Sequence, residues 1–112
     1  MLPKKNRVDK KLVEEIFKKG SFVGSSFLSL KYFLNKDNNY IRASFVVPKK
    51  VEKGAVGRNY LRRRGYLVLE KYFKKLPNGF SGVFVFNKRP GTTIEIENDI
   101  KNVLSKIENE SR

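Results

Sequence analysis

The chain has 112 residues, with 25 Lys and Arg against 11 Asp and Glu, a formal charge of +14. It contains no Cys and no His, which excludes disulfides, thiolate or imidazole metal ligands, and imidazole-based acid–base or nucleophilic chemistry. So large a cationic excess repels itself in a compact chain and points to a polyanionic partner.

Nucleic acid is the first such partner, because neutralised phosphates release condensed counterions and drive binding. A membrane surface is second: no stretch approaches the about 20 apolar residues of a span, and no aromatic-faced basic amphipathic helix is evident. The opening Met1-Leu2-Pro3-Lys4-Lys5 lacks the apolar run of a signal peptide, so a cytoplasmic location is expected. With 39% apolar and 12% aromatic residues, the length fits one domain over 1–112, with a basic arm at 1–8 and a frayed end at 109–112.

In chain order, Asp9 is placed to cap a first helix in which Leu12, Val13, Ile16 and Phe17 recur at three- and four-residue spacings. Lys18 and Lys19 suit its last turn and Gly20 its stop. Residues 21–34 alternate as one long strand, 35–39 form an Asn/Asp turn cluster, and 40–47 form a second strand. The short loop between these strands predicts a hairpin. A basic connection over 48–57 leads to a helix from about Arg58 to Leu76, whose apolar arc holds Leu61, Gly65, Val68, Leu69, Tyr72 and Leu76. Residues 80–86 read as a strand apolar on both faces, suited to a sheet centre. Thr92 and Glu95 have capping-box spacing before a last helix with Ile96, Ile100, Val103, Leu104 and Ile107 as its stripe. The order α-β-β-α-β-α predicts a single-domain α+β sandwich.

The informative stretch runs over residues 49–64. With Arg58 at zero on a helical wheel, Arg62 falls near 40°, Tyr66 near 80°, Asn59 near 100° and Arg63 near 140°, whereas Arg64 points elsewhere. Guanidinium forks bond phosphate oxygens in pairs and stack on exposed bases. Asn59 can bond a base edge or a 2′-hydroxyl, contacts through which folded RNA is recognised. A charge run is as often a solvated helix face, yet few acids lie at i±4 to neutralise these arginines. No Lys, Tyr or carboxylate cluster forms a recognisable active site. Composition and spacing stop at nucleic-acid binding.

The run Lys49-Lys50-Val51-x-Lys53-x-Ala55-Val56-x-Arg58-Asn59-x-x-Arg62-Arg63 resembles the signature of the bacterial ribonuclease P protein component family. So do the opening Leu2-Pro3-Lys4-Lys5-Asn6-Arg7, the helix end Phe17-Lys18-Lys19-Gly20 and the turn Lys88-Arg89-Pro90, in the family's order. The resemblance implies a ribosomal protein S5 domain 2-like sandwich with a left-handed βαβ crossover, against the usual hand. It implies a subunit that binds a catalytic RNA and the 5′ leader of precursor tRNA, with no protein partner required and no catalytic or metal-ligating residue of its own. Lys49, Lys50, Lys53, Arg58, Asn59, Arg62 and Arg63 would then contact the RNA subunit. Val13, Phe17 and Leu30 would line a leader cleft, although Phe17 at helical spacing is by pattern alone more readily core than platform. Mg²⁺ would be held by the RNA subunit and substrate. Tyr66 and Gly65 stand where the family commonly carries a basic and an aliphatic residue.

The rival readings are a ribosomal-type or general RNA-binding protein, a DNA-binding regulator and a stand-alone nuclease. A strand and a lysine-rich loop before Arg58 do not suit a helix-turn-helix. The absence of His and of clustered carboxylates makes the nuclease the weakest of the three.

Overall fold

The computed structural model describes residues 4–35 and 40–110. A 3₁₀ turn over Lys4–Asn6 leads to helix α1 (Lys10–Lys19), strands β1 (Ser21–Gly24), β2 (Leu28–Leu34) and β3 (Arg42–Val46), helix α2 (Ala55–Tyr72), strand β4 (Phe80–Phe86) and helix α3 (Thr93–Glu110). Residues 1–3 of the expected arm, 36–39 of the turn cluster and 111–112 of the expected frayed end lie outside the described residues.

Helix α1 begins where its cap dictates: Asp9 Oδ1 accepts the Leu12 N–H at 2.8 Å, satisfying one of the otherwise orphaned first-turn donors. Gly20 closes it by donating to the Ile16 carbonyl at 2.7 Å. In α3 the capping box forms in both directions, with Glu95 N–H on Thr92 Oγ1 at 3.3 Å and Thr92 N–H on Glu95 Oε1 at 3.1 Å.

The strands correct two expectations. Residues 21–34 are not one strand but the hairpin β1–β2, with Ser21 opposite Tyr32 and Gly24 opposite Ser29. Its turn is closed by Ser25 N–H to the Leu28 carbonyl at 2.9 Å, and the Phe27 and Leu28 N–H groups donate to Asp99 Oδ2 of α3. Gly24-Ser25-Ser26 is the turn cluster that marks the reversal, and the apolar alternation on either side of it masks that signal. Nor do β2 and β3 pair with each other, because the sheet order is β1-β2-β4-β3. β4 pairs antiparallel with β2 and parallel with β3. Its segment Val83-Phe84 is buried on both faces, so β4 takes the centre and leaves β3 at an edge.

Two layers cover the sheet. Leu28, Leu30, Tyr32, Ala43, Phe45, Phe80, Phe84 and Phe86 face α2 and α3 and join Leu61, Val68, Leu69, Ile96, Ile100, Val103 and Ile107 in the main core. Each such Leu, Ile or Phe contributes about 1.5–3 kcal/mol by leaving water. On the other face α1 alone seats Ile16 and, with Val8, covers Val83; Leu12, Val13, Phe33, Val46 and Val85 are only half-buried there. One helix cannot roof a four-stranded sheet, so this face stays partly open.

Candidate nucleic-acid interface

Helix α2 starts at Ala55, earlier than the expected Arg58, with Gly54 as its cap. The connection before it is folded back onto the helix. Val51 and Glu52 N–H groups both donate to the Pro48 carbonyl, at 3.0 and 3.2 Å, and Glu52 Oε2 pairs with Arg89 Nη1 at 2.7 Å. Arg58 then clamps the loop, its Nη1 donating to the carbonyls of Lys53 at 2.6 Å and Glu52 at 3.2 Å. These bonds stabilise an N-terminal turn that includes Gly57, which propensity alone disfavours.

The basic motif is therefore divided by task. Arg58 is half-buried and braces the loop; Lys49, Lys50 and Lys53 are exposed on it. Asn59 and Arg62 lie together, with Arg62 Nη2 donating to Asn59 Oδ1 at 3.3 Å. Arg63 is exposed. Among the described residues none of Arg58, Arg62 and Arg63 is in an ion pair, and the acid nearest in sequence, Glu52, is engaged by Arg89. Tyr66 departs from the expected stripe: it is buried, its ring packed edge-on against Phe45 at 5.0 Å between centroids.

Asn59 and Arg62 open onto a groove of about 710 Å³, walled by α2, β3, the start of α1 and the N-terminal arm. Lys5, Arg7, Lys10 and Arg42 bring further cations, and Val13 and Val46 form apolar wall. The arm is tied down there. Ser44 Oγ accepts the Val8 N–H at 2.8 Å and donates to the Val8 carbonyl at 3.2 Å, and Asn6 Nδ2 donates to the Ile41 carbonyl at 3.0 Å. Of the groove's residues, Lys5 and Arg7 are legible in sequence as part of a basic arm but not as site residues, and Lys10 and Arg42 carry no sequence signal of a site. An apolar Val8 at the end of a basic arm is a local hint in the sequence, and the structure buries it.

The predicted cleft residues do not meet. Val13 lines the groove. Phe17, exposed one turn further on, sits against Lys31, whose Nζ is 5.7 Å from the ring centroid and donates to the Phe17 carbonyl at 3.0 Å. Leu30 is 0% exposed and lies in the main core, on the far face of the sheet from α1. The cleft role that the resemblance implies for Leu30 does not hold: Leu30 shares the core face of β2 with Leu28 and Tyr32, and Lys31 and Phe33 face α1.

A protein-family model described as ribonuclease P matches residues 2–108. The chain belongs to the ribonuclease P protein family. It is 31% identical over 110 residues to the ribonuclease P protein component of Pseudanabaena sp. (strain PCC 6903), across 95% of this chain and 94% of that relative. Its fold is similar to that of the Staphylococcus aureus RNase P protein, with a TM-score of 0.78 and 22% identity over 91% of this chain and 94% of that one. The RNase P protein of Thermotoga maritima superposes with a TM-score of 0.77 at 21% identity, over 89% and 96% of the two chains. At such identities these structural matches speak for the fold alone. As a ribonuclease P protein component the chain takes part in the ribonuclease P holoenzyme and in tRNA processing. No helix among the described residues is long and apolar enough to cross a membrane.

Proposed function

We propose that the chain binds the ribonuclease P RNA through α2 and the loop before it, and assists removal of the 5′ leader from precursor tRNA. The observation that carries this reading is the groove, where Asn59 and Arg62 of the family motif share walls with Lys5, Arg7, Lys10, Arg42 and Val13. A docking helix and a single-strand track then form one continuous cationic surface. Guanidinium and ammonium groups there neutralise phosphates of two RNAs brought close together, while half-buried apolar residues and the exposed Phe17 accept unpaired bases. Lys49, Lys50 and Lys53 extend the charge along the loop. The leader runs over the α1 face of the sheet past Val13, Lys31 and Phe17.

The polypeptide supplies binding energy and the RNA supplies the chemistry. The groove's one carboxylate, Asp9, caps α1 and stands among five cations, surroundings that do not favour a divalent ion. Mg²⁺ thus belongs to RNA and substrate in this reading, and no step is assigned to the protein's own residues.

The test combines purified protein, its cognate RNA subunit and a precursor tRNA at low Mg²⁺. Cleavage at the mature 5′ end should need the RNA and be stimulated by the protein, while protein alone gives no such cut. Specific cleavage by the protein alone, or no effect of the protein on the RNA's activity, would overturn the proposal.

A further inference from the structure

Helix α2 has an outer face that the groove does not use. Val56, Tyr60 and Leu67 are 86%, 51% and 59% exposed, and on a helical wheel they fall within about 40° of one another, nearly opposite the buried arc. Single exposed apolar residues are ordinary, whereas three aligned on one narrow ridge mark a contact surface. Arg63 borders the ridge on one side and Arg64 on the other. Arg64 is half-buried, and its guanidinium carbon stands 4.9 Å from the Tyr60 ring centroid. One face of the phenol is thereby backed by a cation, and the exposed remainder is available to another flat group.

The chemistry of the occupant follows from the charge. A second copy of the chain would bring +14 against +14, and a neutral apolar peptide would leave Arg63 unanswered. An RNA loop satisfies both features, with an unstacked base against the aromatic ring and phosphates against the arginines. We infer that Tyr60, backed by Arg64, is a base-stacking residue on a second RNA-contact ridge of α2, separate from the Asn59–Arg62 groove. The inference rests on the proposed docking of α2 onto the ribonuclease P RNA and adds the class of contact: a splayed base, not phosphate alone.

Stacking and phosphate neutralisation leave different traces. Tyr60→Ala should weaken binding of the cognate ribonuclease P RNA about tenfold, the scale of one lost base stack, with the salt dependence unchanged. Tyr60→Phe, which keeps the ring, should bind like the parent chain. The chain has no Trp, so Tyr60→Trp introduces a single indole whose emission should be quenched on adding the RNA. Equal thermal melting of the variants checks that the fold is intact. Unchanged affinity in Tyr60→Ala, or unquenched emission from a Tyr60→Trp protein that still binds, overturns the stacking role and leaves the groove reading standing. A parent chain that fails to bind the RNA at all sinks both. Sedimentation showing a dimer of the parent chain that Tyr60→Ala dissociates would make the ridge a protein contact and overturn the inference as well.

Discussion

The hydroxyl oxygen of Tyr66 accepts the backbone N–H of Phe45 across 3.2 Å, joining the inner side of α2 to the edge strand β3. The same two rings pack edge-on, and Phe45 in turn stacks on Phe84 of the central strand at 4.9 Å. An edge strand has no neighbour to accept its outward N–H groups, so a side chain from α2 takes that place. This bond fixes how far α2 stands from β3, and hence the width of the groove that Asn59 and Arg62 share with Arg42.

Tyr66→Phe removes the acceptor and leaves a buried N–H unpaired, at a cost of about 1–3 kcal/mol. Urea unfolding should show the loss with an unchanged m value. Affinity for the RNA subunit should fall only modestly, because Tyr66 offers no charge to phosphate. A large affinity loss without a stability loss would place Tyr66 in direct RNA contact instead.

Gly65 lies over the same ring. A Cβ there would come within 2.7 Å of Phe45 Cδ1 and Cε1, and the stacked Phe84 prevents Phe45 from yielding. Gly65→Ala gains about 1 kcal/mol of helix propensity but overpacks the core at about 1–3 kcal/mol. The expected outcome is a net destabilisation, read as a lower melting temperature; a more stable protein would show that the ring can move.

Much of this was legible from local pattern. The Asp9 and Thr92–Glu95 caps, the stripe of α3 and the central character of β4 depend on spacings within one element and appear as read, whereas α2 ends at Tyr72 and a 3₁₀ turn over Phe73–Lys75 sets the buried Leu76 beyond it. What failed depends on partners distant in sequence. Asp99, buried among the last helix's apolar residues, accepts two N–H groups some 70 positions away and anchors the hairpin turn that follows Gly24-Ser25-Ser26. Leu30 was placed in the cleft by resemblance alone, whereas the alternation of β2 puts it with Leu28 and Tyr32 on the face that the structure buries in the main core. Tyr66 was grouped with the arginines by angle on the wheel, but a wheel does not say that β3 comes to meet it. Arg42 and the arm's cations could be found only once the arm was seen to dock beside β3.

Asp99 supports a direct test of that hairpin. Asp99→Ala strips the acceptor from both the half-buried Phe27 and the buried Leu28 N–H groups, which lose bonds to a carboxylate oxygen. About 2–5 kcal/mol of destabilisation is expected from two such losses. Asp99→Asn keeps one oxygen and should cost less. Hydrogen exchange at Phe27 and Leu28 is the site-specific readout, and protection unchanged in the Ala variant would remove Asp99 from the turn.

The arginines of α2 should separate by measurement. Arg62→Ala is expected to lower affinity for the RNA subunit and to reduce the salt slope by roughly one, with stability within about 0.5 kcal/mol of the parent, as for surface changes generally. Arg58→Ala also releases two carbonyls of the preceding loop, so it should cost about 1 kcal/mol of stability in addition. Binding curves over a salt series, paired with urea titrations, test both. Equal stability losses at the two positions would mean that the loop clamp is not what distinguishes them.

The last prediction concerns pH and the join between α2 and α3. Tyr72 Oη donates to Glu97 Oε1 at 2.5 Å, and Lys75 and Lys101 lie 5.5 and 6.0 Å from the Tyr72 ring centroid. The Tyr72 bond holds the Glu97 carboxyl below its ordinary 4.5, with Lys71 and Lys101 adding to it, and the same bond raises the phenol above 10.0. A depressed carboxylate stabilises the fold above its unfolded pKa, and that contribution is lost as pH falls through the lower folded value. A raised phenol stabilises below its unfolded pKa and ceases to do so as pH climbs through the higher folded one. The bond therefore contributes across the neutral range and weakens at both extremes. Tyr72→Phe should be less stable than the parent near neutrality and should approach it in acid, as Glu97 becomes protonated in both. Melting temperatures of the two proteins from neutrality down through the Glu97 titration decide the matter: a gap that stays constant would show that the hydroxyl does not act through Glu97 ionisation.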